Sequence, residues 1–511
     1  AAVAVIVGLA RRAAPMTPTY DTAVIETYTT LAASGRLLDG PYSRFQWHHP
    51  GPLPFYLLAP VYVLAGRTTV ALFASALVLN LGVLAFAFWT VRRHAHPLTA
   101  CAVAVALTLF VCRVPGLLVS PWNPHLPVLA LAAALLACAA SATGVAAGCL
   151  GAAVLVSFAA QGHVAVLPLS VGLGLTAVFG FVLATVITGG RAPAPSAVKA
   201  MVGTIAATDG LVLLLWMPVL LQQVLSADGN VGQIWRYFIE ETHETAAFGV
   251  ALSAWADMMT GLLRPDFYLA HGWTFVESPV LWAEIVAGLQ CATLPVAAWL
   301  AHRGGRRFER NLGLVLLAAS VIALISATRS DREVYDHVVF WIAAIGALNL
   351  GLLAAETAQL VVSAEASGPA RRHVATIAMA AFALAATVGG RELQGEVEAS
   401  HTPGAESRAA AAVADALATQ IPARGLARPL VRFDQDAWGM AAGVVLDLQK
   451  RGMPVSIEDD WLAMYPVAFK VTGDEAAEIA LLGAAEHLRR TARPATVIAT
   501  SGDQLFAHLS R

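Results

Sequence analysis

The chain has 511 residues, 58% of them hydrophobic and only 13% charged, with a formal net charge of −2. About a quarter of the residues in a soluble protein are charged, so this balance excludes an ordinary water-soluble globule. With no basic stripe and no aromatic-basic interleaving, the near-neutral charge also leaves no footprint for nucleic acid.

Apolar runs of about 20 residues recur through the first three-quarters, the length a helix needs to cross the hydrocarbon core. The runs are continuous rather than alternating, which excludes a β-barrel. The expected fold is therefore an all-α polytopic membrane protein. The cysteines at 101, 112, 138, 149 and 291 all lie in apolar runs without paired spacing; they read as small membrane hydrophobes, neither disulfides nor metal ligands.

In chain order, Ala1–Ala10 is an apolar stub followed by Arg11-Arg12, and it reads as the end of a span whose beginning precedes it. Within an outer loop over 12–66, the first long polar segment, Tyr20–Pro60, carries Asp21, Glu26, Asp39, Arg44, Trp47, His48 and His49 and passes through the rigid turn His49-Pro50-Gly51-Pro52. Loops between spans are usually shorter and blander, so this one is expected to be the reactive loop. Leu53–Gly66 is apolar, short and bounded by proline, and suits an interfacial helix. Further spans are expected near 68–91, 98–119, 124–141, 145–160, 164–188, 198–221, 278–301, 312–328, 334–362 and 373–390, which with the stub makes about eleven crossings.

Basic residues orient these spans. Arg92-Arg93, Arg191 with Lys199, Arg303, Arg306, Arg307 and Arg310, and Arg371-Arg372 fall in alternate loops, which places those loops on the cytoplasmic side. Arg11-Arg12 and Arg113 are the exceptions. The polar segments then share the extracytoplasmic side: 20–52, 120–125, 161–163, 222–273 and 328–333. From about residue 390 the composition becomes that of a soluble domain. Helices are expected over 406–421, 437–451 and 475–491, with strands at 429–433, 454–457 and 495–500. This describes a small α/β layer. Two domains follow, a membrane domain over 1–390 and an extracytoplasmic α/β domain over 391–511, in a protein of the cytoplasmic (plasma) membrane with its working face outside.

Asp21 and Glu26 lie five residues apart, so they do not share one helix face. A carboxylate here can deprotonate an acceptor hydroxyl or hold a cation against a leaving phosphate; Asp21 can equally cap a helix, and Glu26 can simply be solvated. Arg44, His48 and His49 suit an anionic leaving group, although Arg and Trp are also ordinary interfacial anchors. Asn123 can cap the helix that follows it, with Pro124 at the first position, and His125 completes that motif. Gln161 and His163 stand at a span end as functional groups or as interhelical hydrogen-bond partners. Gln223 and Asn230 lie in the next outer segment. Arg329 is the member of the charged turn 328–336 best suited to contact phosphate.

These residues carry a resemblance. Asp21 just after the first span, and His49-Pro50-Gly51-Pro52-Leu53 leading into an aromatic helix, resemble the GT-C superfamily of membrane glycosyltransferases. The type is that of the protein O-mannosyltransferases and aminoarabinose transferases. Still more closely, the chain resembles membrane proteins with GPYSRF-W-HPGPL, WNP, Q-H and W-P…Q…GN blocks, here Gly40–Leu53, Trp122–Pro124, Gln161 with His163, and Trp216–Asn230. It departs from the family in having Pro50-Gly51-Pro52 in place of two consecutive prolines, and in having no acidic pair at Asp21-Thr22. The resemblance implies a polyprenyl-phosphate-sugar donor, inverting transfer to a cell-envelope acceptor amid membrane lipids, and Asp21 as base or cation partner; a divalent cation is left open. Two other classes compete. A transporter or lipid flippase would carry mid-membrane charges and inverted repeats, which the sequence lacks, and a catalytically silent envelope scaffold would tolerate Asp21→Asn.

Overall fold

The computed structural model of the chain describes residues 2–14, 16–187, 194–270, 280–364, 391, 404–475, 477–490, 496–502 and 504–510. It divides into two compact units: one joins Ala1–Val78, Leu221–Ile234 and Val397–Arg511, and the other joins Leu79–Leu220 and Trp235–Glu396. Compactness thus groups the polar segment 12–66 with the C-terminal region, which a cut at residue 390 would separate.

Among the described residues, six helices are long and apolar enough to cross a membrane: Thr69–His94, Val164–Val186, Pro195–Leu225, Leu281–Arg303, Arg307–Ala327 and Ile342–Val361. The chain is a multi-pass helical membrane protein. The expected spans at 98–119, 124–141 and 145–160 are helices too, but shorter: Pro97–Arg113, Leu126–Ser141 and Ala146–Gly162. The first stops where Val114 precedes Pro115, because a residue before proline is pushed out of the helical region. The expected span 334–362 is interrupted at Phe340-Trp341, between the short helix Asp336–Val339 and the helix Ile342–Ala364. The span expected at 373–390, with Arg371-Arg372 and Arg191, lies outside the described residues. Leu126–Ser141 is buried along its whole length and packs against Ala146–Gly162 and Leu167–Val186. Its alanine-rich surface lets helix backbones approach closely, the usual basis of association between apolar helices.

In the other unit, the helices Tyr20–Ala33, Leu53–Leu64, Ala405–Ala423 and Trp438–Lys450 accompany one five-stranded sheet. The strands are β1 (Leu430–Phe433), β2 (Ser456–Ile457), β3 (Glu478–Leu482), β4 (Thr496–Ser501) and β5 (Leu505–Ser510), in the order β2-β1-β3-β5-β4. β1 pairs in parallel with β2 and β3, whereas β5 is antiparallel to β3 and β4. Val431 stands opposite both Ile457 and Ile479. Residues 479–482 of the central strand are all buried, as expected of a strand covered on both faces.

Three local expectations are corrected. The helix read over 475–491 is β3 followed by the short helix Ala484–Arg490, β5 was not anticipated, and the polar stretch 222–273 contains an apolar helix, Phe248–Met259.

Candidate functional site

The site builds up from the head of the helix Tyr20–Ala33. Thr19 occupies the cap position in an extended conformation, and Asp21 lies in the first turn. Asp21 is therefore not the capping residue, but its charge faces the favourable end of the helix dipole. Tyr20, immediately before it, has φ +52°, a left-handed conformation that is strained for a residue with a side chain.

The partner of Asp21 comes from the loop. The Tyr42 hydroxyl donates to Asp21 Oδ1. Burial, and then the neighbouring carboxylate, push the Tyr42 phenol far above its usual range, so it remains a protonated donor. Tyr42 is held by a bridge to His48 and by the His49 amide, which donates to the Pro41 carbonyl at 2.7 Å. The crossing is so close that a Cβ on Gly40 would stand 2.0 Å from the His49 carbonyl oxygen and 2.8 Å from the Gly51 nitrogen. Glycine is needed here for space.

Asn230, far along the chain, completes the loop. Its Oδ1 accepts the His48 amide at 2.8 Å, and its Nδ2 donates to the His48 carbonyl at 2.8 Å and the His49 carbonyl at 3.4 Å. The side-chain amide thus takes the place of a neighbouring strand, and Gln222 Oε1 in turn accepts the Asn230 amide at 3.0 Å. The His48 ring meets the Tyr28 hydroxyl through Nδ1 at 3.2 Å. Burial lowers the His48 pKa below its usual value, against an opposing pull from Asp39, so the ring is neutral at pH 7. The Trp47 ring stacks on Phe45 and meets His49 edge-on, with centroids 5.9 and 5.6 Å away. Arg44 is exposed, its guanidinium carbon 4.8 Å from the Phe45 ring centre.

Glu26 differs from expectation. It is not solvated but fully buried, and three side chains saturate it. Lys450 pairs with Oε1, the Tyr62 hydroxyl donates to Oε1 at 2.9 Å, and the Thr69 hydroxyl donates to Oε2 at 2.8 Å. A carboxylate committed to a cation and two hydroxyls is poorly placed to take a substrate proton. Sequence reasoning missed Lys450, and nothing near Glu26 in the chain points to it.

The remaining candidates divide. Gln223 belongs with this unit, its Oε1 accepting the Val231 and Gly232 amides at 3.0 and 3.4 Å. Asn123, His125, Gln161, His163 and Arg329 lie in the other unit. Asn123 is buried, but the helix after it starts only at Leu126, so it does not cap that helix. His125 bridges the Ser120 hydroxyl at 2.8 Å and the Ala270 carbonyl at 3.0 Å. Gln161 is fully buried and donates to the Leu215 carbonyl at 3.0 Å, a bond between helices. His163 Nδ1 accepts the Ala165 amide at 3.3 Å. Arg329 is exposed. His337 is a residue the sequence did not single out; it lies 5.3 Å from the Trp122 ring and 5.7 Å from Tyr335. Among the described residues, no three His, Cys, Asp or Glu side chains gather into a metal-holding group.

No protein-family model matches the chain, and no curated protein matches it. Among solved structures, it is similar to ArnT from Cupriavidus metallidurans in the apo state, at 14% identity and a TM-score of 0.49, over 99% of this chain and 96% of that one. It is also similar to the crystal structure of ArnT from the same organism bound to undecaprenyl phosphate, at 13% identity and a TM-score of 0.45, over the same shares of the two chains.

Proposed function

We propose that the chain is an integral-membrane glycosyltransferase that moves a sugar from a polyprenyl-phosphate carrier to a cell-envelope acceptor on the extracytoplasmic side. The observation that carries this reading is Asp21 at a helix head, hydrogen-bonded by Tyr42 from the loop that bears Arg44, His48 and His49. The resemblance of Asp21 and of His49-Pro50-Gly51-Pro52-Leu53 to the GT-C superfamily adds to it. In this reading Asp21 takes the proton of the acceptor hydroxyl, and the hydroxyl oxygen attacks the anomeric carbon. The bond from that carbon to the phosphate oxygen breaks with inversion, and its electron pair leaves on the polyprenyl phosphate. Arg44, exposed on the same loop, is the cation suited to that phosphate. His48 is neutral and offers a polar contact rather than a charge.

Sugar transfer from radiolabelled polyprenyl-phosphate sugars, in membranes carrying either the wild type or Asp21→Asn, tests the reading. General-base catalysis contributes about 10²–10⁴-fold, and a loss of that size is expected. Equal transfer by both proteins would remove Asp21 from the chemistry. A folded wild type inactive with every donor would favour the transporter or scaffold.

A further inference from the structure

Resting on the reading of Asp21 as the base, we propose that the C-terminal helices Ala405–Ala423 and Trp438–Lys450 position this carboxylate, so that the α/β region is part of the catalytic unit. The observations lie on both sides of Asp21. Before it, Tyr20 in its left-handed conformation meets Trp438 edge-on, with ring centroids 5.0 Å apart, and its hydroxyl donates to Glu406 Oε1 at 2.9 Å. Gly439 fits under the same ring, where an added Cβ would fall 2.3 Å from Tyr20 Cε1. Three residues earlier, the Ser407 hydroxyl donates to the Thr17 carbonyl at 2.5 Å. After Asp21, the buried Glu26 is paired with Lys450, in the last turn of the helix that begins at Trp438. Further on, Asp39 Oδ2 accepts the Val467 amide at 3.2 Å.

A strained backbone persists only where its surroundings over-determine it, and such strain clusters at functional sites. Here the strained residue directly precedes the proposed base, and the groups that pin it all come from residues 406–439. A ligand-holding module would leave the helix Tyr20–Ala33 able to stand alone. Instead, that helix packs against Trp438–Lys450, and it neutralises its one fully buried charge with a lysine from that helix. These C-terminal residues hold the positions that flank Asp21 in the chain. They are positioning residues, and a misplacement of about 1 Å can cost roughly 10²-fold in rate.

Two variants perturb the contacts at separate points: Gly439→Ala, which pushes on the Tyr20 ring, and Lys450→Met, which keeps a long apolar stem but removes the cation. Lys450→Glu and Glu26→Lys, singly and together, test the pair itself. In the full-length protein in membranes, transfer of labelled sugar should lose kcat about 10- to 100-fold with KM little changed, and the reversed pair should recover much of the loss. A readout independent of activity is the alkylation rate of the thiol introduced by Asp21→Cys, followed by mass spectrometry of that peptide. It should shift about tenfold or more on adding Gly439→Ala or Lys450→Met. An unchanged alkylation rate in both backgrounds overturns the proposal, as does unchanged kcat in both variants of an active enzyme. A wild type that transfers no sugar, with an Asp21→Cys thiol that still responds to both variants, refutes the base assignment and leaves the positioning contacts standing.

Discussion

Replacing Asn230 with alanine should loosen the loop that carries Arg44, His48 and His49. The wild-type amide makes two hydrogen bonds of 2.8 Å to the His48 backbone and a weaker one of 3.4 Å to the His49 carbonyl. A buried backbone group left without a partner costs about 1–3 kcal/mol. Two groups lose strong partners, and because His48 is half-buried, water recovers part of that cost. A destabilisation of about 2–4 kcal/mol follows. Opening of the loop alone should become roughly 30- to 1,000-fold more populated. Arg44 is exposed within the loop, so tryptic cleavage after it reports the opening when cleavage is slow relative to reclosing. Asn230→Asp should fall between the two, since its carboxylate still accepts the His48 amide but faces the His48 carbonyl unfavourably. Equal cleavage rates in wild type and Asn230→Ala would refute the role of this amide.

Two further outcomes follow from the same loop. Burial lowers the His48 pKa, so below about pH 6.5 the unfolded chain binds a proton that the folded site resists. Stability should therefore be full above that pH and decline as pH falls below it; His48→Gln should flatten this slope in denaturant midpoints measured from pH 7.5 to 5.5, and an unaltered slope would refute the assignment. Gly40→Ala drives a Cβ into the His49 carbonyl, a backbone clash that should cost about 1–3 kcal/mol and raise cleavage after Arg44; a variant as resistant as wild type would show that the crossing has more room than described.

The sequence expresses some of this directly. Its long apolar helices follow from continuous apolar runs, and most C-terminal elements from their local periodicity, because in both cases the deciding contacts are with lipid or with near neighbours. Residues 475–491 read as a helix because an alanine-rich stretch has helix propensity wherever it lies. Pairing with β1 on one side and β5 on the other overrides that preference at Glu478–Leu482. Phe248–Met259 was hidden by its polar flanks. At the site, the polar character of 20–52 was plain. The partners of Glu26 and His48 were not, because they are remote in sequence. Glu26 meets a lysine 424 positions later, and His48 meets an asparagine 182 positions later. No local pattern encodes such a partner, and both assignments had to come from the fold.

The distance between Glu26 and Lys450 also sets an order of events during synthesis. A ribosome adding about 5–20 residues per second needs roughly 20–85 s to add the 424 residues from Glu26 to Lys450. Throughout that interval the Glu26 carboxylate lacks Lys450, and for most of it Tyr20 lacks Glu406 and Trp438 to hold its backbone. The nascent helix at residues 20–33 must wait in an unfinished state while the intervening spans are inserted. Chains that stall or are cut before residue 450 would therefore carry Asp21 and its loop without the contacts that fix them. Such a delay keeps an incomplete translation product from completing the contacts around Tyr20 and Glu26.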